Sequence, residues 1–166
     1  MKKLLAVIIL MNVFLVPCFA GDLDIGTHAS FFQPPEGGGN TLMTGLDATY
    51  SMNSYFSARG SVDNANYTTT DHKYSITSLT ITLIGHLLGE ATIDPYLGAG
   101  LGYYEKKIDM ETLSSTGLNA VAGISMKFQT FNIGLEIKYT IPDTKQMETG
   151  FYSVGANLTG GLHISF

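Results

Sequence analysis

The sequence has little cysteine, no tryptophan and few charged residues. Its single cysteine, Cys18, lies within the first twenty residues. If those residues are removed, the remaining chain has no thiol, which excludes a disulfide framework, a zinc–cysteine site and a cysteine nucleophile. Charged residues make up 14% of the 166 residues, a length that suits one domain. Any chemistry must therefore come from oxygen and nitrogen groups.

Basic residues are scarce, and so are long apolar runs. Removing Lys2 and Lys3 with the N-terminus leaves seven basic residues of the original nine, against fourteen acidic ones. Nucleic acid is therefore excluded as a partner, because phosphate binding needs clustered Lys and Arg. After residue 20 no run of eighteen apolar residues occurs, so any membrane-embedded form must be a closed barrel of strands.

The N-terminus has the three parts of a secretory signal peptide. Lys2 and Lys3 precede an apolar run, and Cys18-Phe19-Ala20 supplies a small-x-small cleavage site. Residues 1–20 are therefore predicted to be a signal peptide, and residues 21–166 the mature domain. A lipoprotein cut at Cys18 is disfavoured, since Pro17 stands where that signal wants a small residue.

The last stretch, residues 151–166, alternates strictly between two kinds of residue. One face is apolar, aromatic or glycine: Tyr152, Val154, Ala156, Leu158, Gly160, Leu162, Ile164 and Phe166. The residues between them are polar or glycine. Period-two alternation predicts a strand with one oily and one wet face.

Seven earlier segments show the same alternation less completely. The eight predicted strands cover residues 22–32, 42–51, 55–63, 74–84, 95–105, 118–127, 131–141 and 151–166. Residues 64–73 and 106–115 are polar and are interpreted as loops, and most other connections alternate between long and short. This predicts an all-β fold, a monomeric eight-stranded antiparallel up-and-down transmembrane β-barrel.

Aromatic residues cluster near the predicted strand ends, as two interfacial girdles would require. The two sets are Phe31, Phe32, Tyr103, Tyr139, Phe151 and Tyr152, and Tyr50, Phe56, Phe128, Phe131 and Phe166. Two isoleucines, Ile76 and Ile84, fall on the inward face of the fourth strand and break its pattern.

Six charged residues point inward in this reading, and they form the candidate site. They are Asp24, Asp47, Arg59, Lys127, Glu136 and Lys138. A three-residue turn after Ser51 would set Asp47 directly opposite Arg59, so Arg59 is expected to pair with Asp47 and to reach Glu136. Buried charges must be paired, which favours a lumen plugged by ion pairs. The alternative is a gated conducting path along the same residues.

Other motifs in the chain do not support catalysis or cofactor binding. Gly98, Gly100 and Gly102 share one strand face with no helix after them, so they do not form a nucleotide loop. In His28–Ser30 and His163–Ser165 the partners lie about 7 Å apart on one strand, too far for a nucleophile and its base. The four histidines lack metal spacing. No enzyme activity, metal or cofactor is expected.

The segment from Pro95 to Tyr103 (PYLGAGLGY), with the terminal His163-Ile164-Ser165-Phe166, resembles the bacterial outer-membrane β-barrel family of OmpA/OmpX-type small barrels. The resemblance implies an outer-membrane location in a Gram-negative bacterium, periplasmic termini and a narrow lumen. It also implies an assembly signal at Leu162, Ile164 and Phe166, read by the barrel assembly machinery. No peptidoglycan-binding domain follows, unlike in longer members.

The resemblance does not fix one activity, since members serve as structural anchors, adhesins, resistance factors and occasionally enzymes. A structural or surface-interaction role with a plugged lumen is predicted, with outer-membrane lipid, lipopolysaccharide and an unknown loop ligand as partners. The alternatives are a narrow porin-like channel and a lipid A-modifying enzyme. A soluble lipocalin-like barrel is disfavoured, because its oily residues would face inward.

Overall fold

The computed structural model describes residues 22–33, 40–70, 72–89, 91–129, 131–142, 151–160 and 164–165. The predicted signal peptide at residues 1–20 lies outside this range, as do Leu162 and Phe166 of the predicted assembly signal. Among the described residues, no helix is long and apolar enough to cross a bilayer.

The fold is a closed antiparallel sheet. Its strands are β1 (Asp22–Phe32), β2 (Thr41–Ser51), β3 (Phe56–Thr68), β4 (Lys73–His86), β5 (Ile93–Ile108), β6 (Glu111–Lys127), β7 (Phe131–Pro142), β8 (Phe151–Gly160) and β9 (Ile164–Ser165). Each strand up to β8 pairs with the next one in sequence, and β1 pairs with β2 on one side and with both β8 and β9 on the other. Since β8 and β9 share one position beside β1, the predicted eight-stranded up-and-down barrel is confirmed.

Two ends of the barrel are distinguished below. The terminal end is the one where β1 begins at Asp22, with the turns after β2, β4 and β6. The loop end is the opposite one, with the connections after β1, β3, β5 and β7.

The outward face of the barrel is an apolar band. Leu46, Leu101 and Leu135 are 62%, 67% and 68% exposed, and they alternate with inward residues such as the buried Asp47 and Tyr96. This arrangement is the reverse of a soluble protein, since the apolar side chains point away from the interior. The inward face is narrow and mostly polar.

Most of two predicted loops belongs to strands in the structure. β3 continues to Thr68 and β4 begins at Lys73, while β5 and β6 are joined by only Asp109 and Met110. Residues 64–73 and 106–115 read as loops because their outward residues are polar. Beyond the apolar band the outer face no longer meets hydrocarbon, so polar outward residues remain compatible with a strand.

The predicted register between β2 and β3 is wrong by two residues. Ser51 lies opposite Ser57, which sets Asp47 opposite Ser61 and Thr49 opposite Arg59. The turn is longer than three residues because the Asn53 side-chain oxygen accepts hydrogen bonds from two backbone N–H groups, of Tyr55 at 2.8 Å and Phe56 at 2.9 Å. Such an Asx turn replaces the tight hairpin that was expected.

Apolar residues close part of the lumen. Phe32, Met43, Ala65, Tyr67, Ile76 and Tyr104 form one buried cluster near the loop end, and Ile84, Tyr96 and Val121 form a second. Phe32 is fully buried here, so its predicted place in a girdle is wrong. Ile76 and Ile84, which broke the strand pattern, each belong to one of these inner clusters.

Glycines make room for large inward side chains in this narrow interior. A Cβ on Gly123 would meet the ring of Tyr96, and one on Gly45 would meet the ring of His28. An eight-stranded barrel is only just wide enough for side chains, so each large ring needs a small neighbour.

Candidate functional site

An ion pair crosses the middle of the lumen. Arg59 on β3 donates from Nη1 to Glu136 Oε2 on β7 at 2.5 Å. The same carboxylate oxygen accepts a hydrogen bond from the Tyr96 hydroxyl at 2.8 Å, and Asn157 donates to that hydroxyl at 3.3 Å. The Arg59 guanidinium also lies 5.6 Å from the centre of the Tyr96 ring. Charge-assisted bonds and a cation–π contact thus hold this group together.

A second network lies around His28. Its Nδ1 is 3.3 Å from Asp47 Oδ1, and its Nε2 contacts Asp63 Oδ1. Both ring nitrogens face carboxylate oxygens, which only accept hydrogen bonds, so the ring is in its cationic form. Lys138 adds a second cation, 3.0 Å from Asp63 Oδ2, while Ser78 donates to that oxygen at 2.6 Å. Two cations therefore balance two buried carboxylates.

A third network lies at the terminal end, around Asp94. Asp94 is fully buried. Its Oδ2 lies 2.7 Å from His86 Nδ1 and 3.1 Å from Lys127 Nζ, and its Oδ1 accepts a hydrogen bond from the Leu88 backbone at 3.1 Å. On the far side of the imidazole, His86 Nε2 is 3.0 Å from Ser57 Oγ.

The six predicted charges are therefore divided among several places. Arg59 meets Glu136 but not Asp47, which is bonded to His28; the predicted Asp47–Arg59 pair is wrong because of the register shift. Lys138 and Lys127 belong to the second and third networks. Asp24 lines the cavity at the terminal end.

Sequence reasoning missed His28, Asp63, His86 and Asp94 as members of these networks. Period-two alternation along β1 and β3 places His28 and Asp63 on the inward face. Their partners, however, lie on other strands, and only the register reveals them. Counting spacings along one strand could not bring Ser57, His86 and Asp94 together.

Two cavities among the described residues lie beside these networks. The larger, which we call the vestibule, has a volume of about 660 Å³ and is lined at the terminal end by polar residues including Asp24, Ser57, Arg59, His86 and Lys127. The smaller one, about 30 Å³, lies beyond Arg59 and has room for about one water molecule. Arg59 lines both. Beyond the smaller cavity stands the apolar cluster around Phe32 and Tyr104.

The loop end carries a clasp between two connections. Asp109 has a backbone φ of 52°, and its Oδ2 accepts a hydrogen bond from His72 Nδ1 at 2.7 Å. Its Oδ1 accepts one from the Lys73 backbone at 3.1 Å. The hydrogen bond from His72 has the larger effect. Together with the one from the Lys73 backbone, it holds the pKa of the Asp109 carboxyl below its ordinary value.

No metal-binding arrangement occurs among the residues that the structure covers, since no group of three or more His, Cys, Asp or Glu side chains is placed to hold an ion there.

Comparison with known proteins identifies relatives of this chain. The sequence profile of the family described as "Outer membrane protein beta-barrel domain" matches residues 19–159. No curated protein sequence matches the chain.

Several solved structures share the fold. The crystal structure of Neisserial surface protein A is 14% identical with a TM-score of 0.70, over 86% of this chain and 97% of that one. Ail of Yersinia pestis, an attachment invasion locus protein in complex with the heparin analogue sucrose octasulfate, is 19% identical with a TM-score of 0.54, over 85% and 99%. The outer membrane enzyme PagL is 16% identical with a TM-score of 0.56, over 84% and 99%. At these identities the likeness concerns the fold alone.

Proposed function

Since the chain belongs to the outer membrane protein β-barrel domain family, we propose that it is a structural and surface-interaction barrel whose lumen is plugged by ion pairs. Its location is the bacterial outer membrane, in keeping with the family and with the apolar outer face. The finer role rests on the lumen and on the outer surface at the loop end.

The Arg59–Glu136 pair, backed by the apolar cluster at the loop end, is the observation that carries the plug proposal. It spans the lumen between β3 and β7, and both side chains are mostly covered, at 16% and 15% exposure. The vestibule is open on the terminal-end side of the pair, and on its loop-end side the described residues enclose a cavity of about 30 Å³ before the apolar cluster. Hydrated ions would have to displace both the ion pair and the buried rings of Phe32 and Tyr104.

Planar lipid bilayer recording tests this directly. Purified wild-type protein is expected to give no discrete conductance steps, and Arg59→Ala is expected to stay closed because the apolar cluster still fills the loop end. Adding Phe32→Ala and Tyr104→Ala to Arg59→Ala removes both barriers and should produce steps. Discrete steps from the wild-type protein would overturn the plug.

A narrow porin-like channel is the second candidate, and the vestibule is the observation in its favour. About 660 Å³ of polar space already extends from the terminal end to Arg59. If Arg59→Ala alone conducts, Arg59 gates a channel that the apolar cluster does not close. The same recordings therefore separate the two candidates.

The surface role is assigned to the outer wall formed by the loop-end parts of β3 to β6. Its outward residues are polar and mostly exposed: Asn64, Asn66, Thr68, Lys73, Ser75, Thr77, Glu105, Lys107, Thr112, Ser114 and Thr116. Asn66 donates to Asn64 at 2.9 Å, and Asn64 donates to Thr77 at 3.0 Å. Amides and hydroxyls above a hydrocarbon band suit the sugars and phosphates of lipopolysaccharide.

Bilayers with and without lipopolysaccharide test that assignment. The wild-type barrel should unfold at higher temperature in lipopolysaccharide-containing bilayers than in phosphatidylcholine. Asn64→Ala/Asn66→Ala/Lys107→Ala should lose that difference while keeping the phosphatidylcholine value. If the variant keeps the same difference in unfolding temperature between the two bilayers, this outer wall does not contact lipopolysaccharide. A soluble glycan ligand, such as the heparin analogue bound by Ail, is the surface partner to assay next.

No catalysis is assigned to the lipid-facing surface. The likeness to PagL extends to the fold only. His28 points into the lumen toward Asp47 and Asp63, and Ser30 is buried. Mass spectrometry of lipid A from expressing cells is expected to show no new species.

The C-terminal assembly signal is proposed from the resemblance. Ile164 pairs with Leu23, so β9 completes the sheet beside the first strand. Deleting Phe166 is expected to lower the yield of folded barrel in the outer membrane. Equal yields with and without Phe166 would contradict recognition by the assembly machinery at that residue.

A further inference from the structure

Three side chains at the terminal end are arranged as a nucleophile, a base and an orienting carboxylate. Ser57 Oγ lies 3.0 Å from His86 Nε2, and His86 Nδ1 lies 2.7 Å from Asp94 Oδ2. These are the distances and the order of contacts that nucleophilic serine catalysis requires. We propose that Ser57, His86 and Asp94 form a hydrolytic triad that opens to the vestibule.

The sheet register brings the three together. Ser57 is opposite Ile84 on β4, and His86 is opposite Tyr96 on β5. The inward neighbours one step along are His86 on β4 and Asp94 on β5, so the three residues lie diagonally on adjacent strands. The backbone hydrogen bonds between these strands support all three residues, and such a framework holds a site more rigidly than a loop does.

The contacts of Asp94 fix the tautomer of His86. A carboxylate only accepts hydrogen bonds, so His86 Nδ1 carries the proton donated to Asp94, and Nε2 is left to accept the Ser57 hydroxyl proton. Leu88 N–H and Lys127 Nζ also bind Asp94, each at 3.1 Å. Asp94 is therefore a positioning residue that orients the imidazole.

The vestibule supplies room for a substrate and indicates its class. Its volume of about 660 Å³ lies within the usual range of ligand sites, and both Ser57 and His86 line it. The other lining residues are mostly polar and carry charges of both signs. Such polar walls suit an ester substrate whose alcohol part is rich in hydroxyl groups, and they do not suit a long acyl chain.

The narrow access to Ser57 limits the acyl part further. Ser57 is only 1% exposed, so a short acyl group such as acetyl is favoured over a bulky one. Arg59 and Lys127, which pair with Glu136 and Asp94, line the same cavity and give it the positive charge that would stabilise an oxyanion. The substrate class is thus a short-chain ester of a polar alcohol, reaching the site from the terminal end.

The reaction balances with water as the only co-reactant. Ser57 Oγ attacks the ester carbonyl carbon while its proton passes to His86 Nε2. The carbon–oxygen bond to the alcohol then breaks, and the alcohol leaves with the proton from His86. Water, deprotonated by His86, cleaves the Ser57 acyl ester to give the carboxylic acid and the free serine.

A structural hydrogen-bond network would have the same distances but would not have the reactivity. The test uses the protein purified from outer membranes in detergent and treated with a fluorophosphonate that carries only small alkyl groups, so that it fits the narrow access to Ser57. Peptide mass spectrometry should find the phosphonyl group on Ser57 of the wild type and no label on Ser57→Ala. Ser61→Ala is the matched control, since Ser61 is also a buried lumen serine, bonded to Thr80 at 2.7 Å.

Hydrolysis of p-nitrophenyl acetate gives the second readout. His86→Gln and Asp94→Asn should lower the Ser57-dependent rate by a factor on the order of 10² to 10⁴. Heat-modifiable gel mobility checks that each variant is folded, so loss of activity is not confused with loss of the barrel. Absence of label on folded wild-type protein, or equal ester hydrolysis by wild type and Ser57→Ala, would overturn the triad. Neither result bears on conductance, so the plug is tested separately.

Discussion

Arg59 and Glu136 are 77 positions apart in sequence, yet their charged groups meet at 2.5 Å inside the barrel. β3 and β7 are not neighbours in the sheet, so this contact bridges the lumen where backbone hydrogen bonds cannot. The Tyr96 hydroxyl bonds to the same Glu136 oxygen, which adds β5 to the bridge. One polar group thus ties three strands together.

Breaking this pair on one side should cost stability. Arg59→Ala leaves Glu136 mostly buried without its cation, and such a loss typically costs about 3–5 kcal/mol of unfolding free energy. Urea unfolding in detergent measures the change. Arg59→Met/Glu136→Leu removes both charges and should recover most of the loss. A single variant as stable as wild type would show that the pair is not a structural bridge. Lys107→Ala, at an exposed pair with Glu105, serves as the near-neutral control.

The register of β2 and β3 can be checked by engineered disulfides in a protein that starts at Gly21, because residues 21–166 contain no cysteine. Ala48 lies opposite Gly60, and both face outward. Ala48→Cys/Gly60→Cys should therefore crosslink on mild oxidation, since directly opposite residues have suitable Cβ distances. Ala48→Cys/Ala58→Cys, which fits a turn two residues shorter, should crosslink poorly. The reverse preference would refute the Asn53 turn. Non-reducing gel mobility reads out both.

The strand pattern could be predicted from sequence because lipid imposes it: most outward residues in the band are apolar, with exceptions such as Thr27 and Thr44, and the inward ones are free to be polar. That rule stops at the membrane boundary, which is why Asn64 to Thr68 looked like a loop. The rule also does not predict apolar residues inside the lumen. Ile76 and Ile84 therefore seemed to break the strand pattern, although each belongs to an inner apolar cluster.

The candidate site was harder to predict than the fold. Alternation identified the inward charges but not their partners, since the partners depend on register. The register of β2 and β3 depends on two hydrogen bonds to the Asn53 side chain, which lengthen the turn between these strands. The residue opposite Asp47 is therefore Ser61 and not Arg59. The Ser57–His86–Asp94 arrangement needs two registers at once, that of β3 with β4 and that of β4 with β5, so no single-strand spacing contains it.

Replacing either of two glycines by alanine should change the free energy of unfolding in opposite directions. A Cβ on Gly123 would collide with the Tyr96 ring, whereas one on Gly60 would meet nothing within 4 Å. Gly123→Ala should destabilise the barrel by about 1–3 kcal/mol through overpacking. Gly60→Ala should be neutral or stabilise it by about 0.4–1 kcal/mol, through lower entropy of the unfolded chain. Urea unfolding of both variants decides this, and a Gly123→Ala barrel as stable as wild type would contradict the close packing of Tyr96.

The clasp at the loop end should weaken in acid. The hydrogen bonds from His72 and the Lys73 backbone lower the pKa of Asp109 from its ordinary value of 3.8. A carboxyl whose pKa is lower in the folded than in the unfolded chain stabilises the fold above its unfolded pKa. That contribution is lost as the pH falls below 3.8 and through the folded pKa.

Carbon-13 NMR of the Asp109 carboxyl in micelles should therefore give a midpoint below 3.8 in the wild type. His72→Ala removes the largest cause and should raise the midpoint toward 3.8. The Lys73 backbone donor remains in that variant, so part of the lowering should persist. Lys107→Ala, which changes a nearby charge outside the clasp, should leave the midpoint unchanged. An unaltered midpoint in His72→Ala would show that the His72–Asp109 contact does not hold the two connections together.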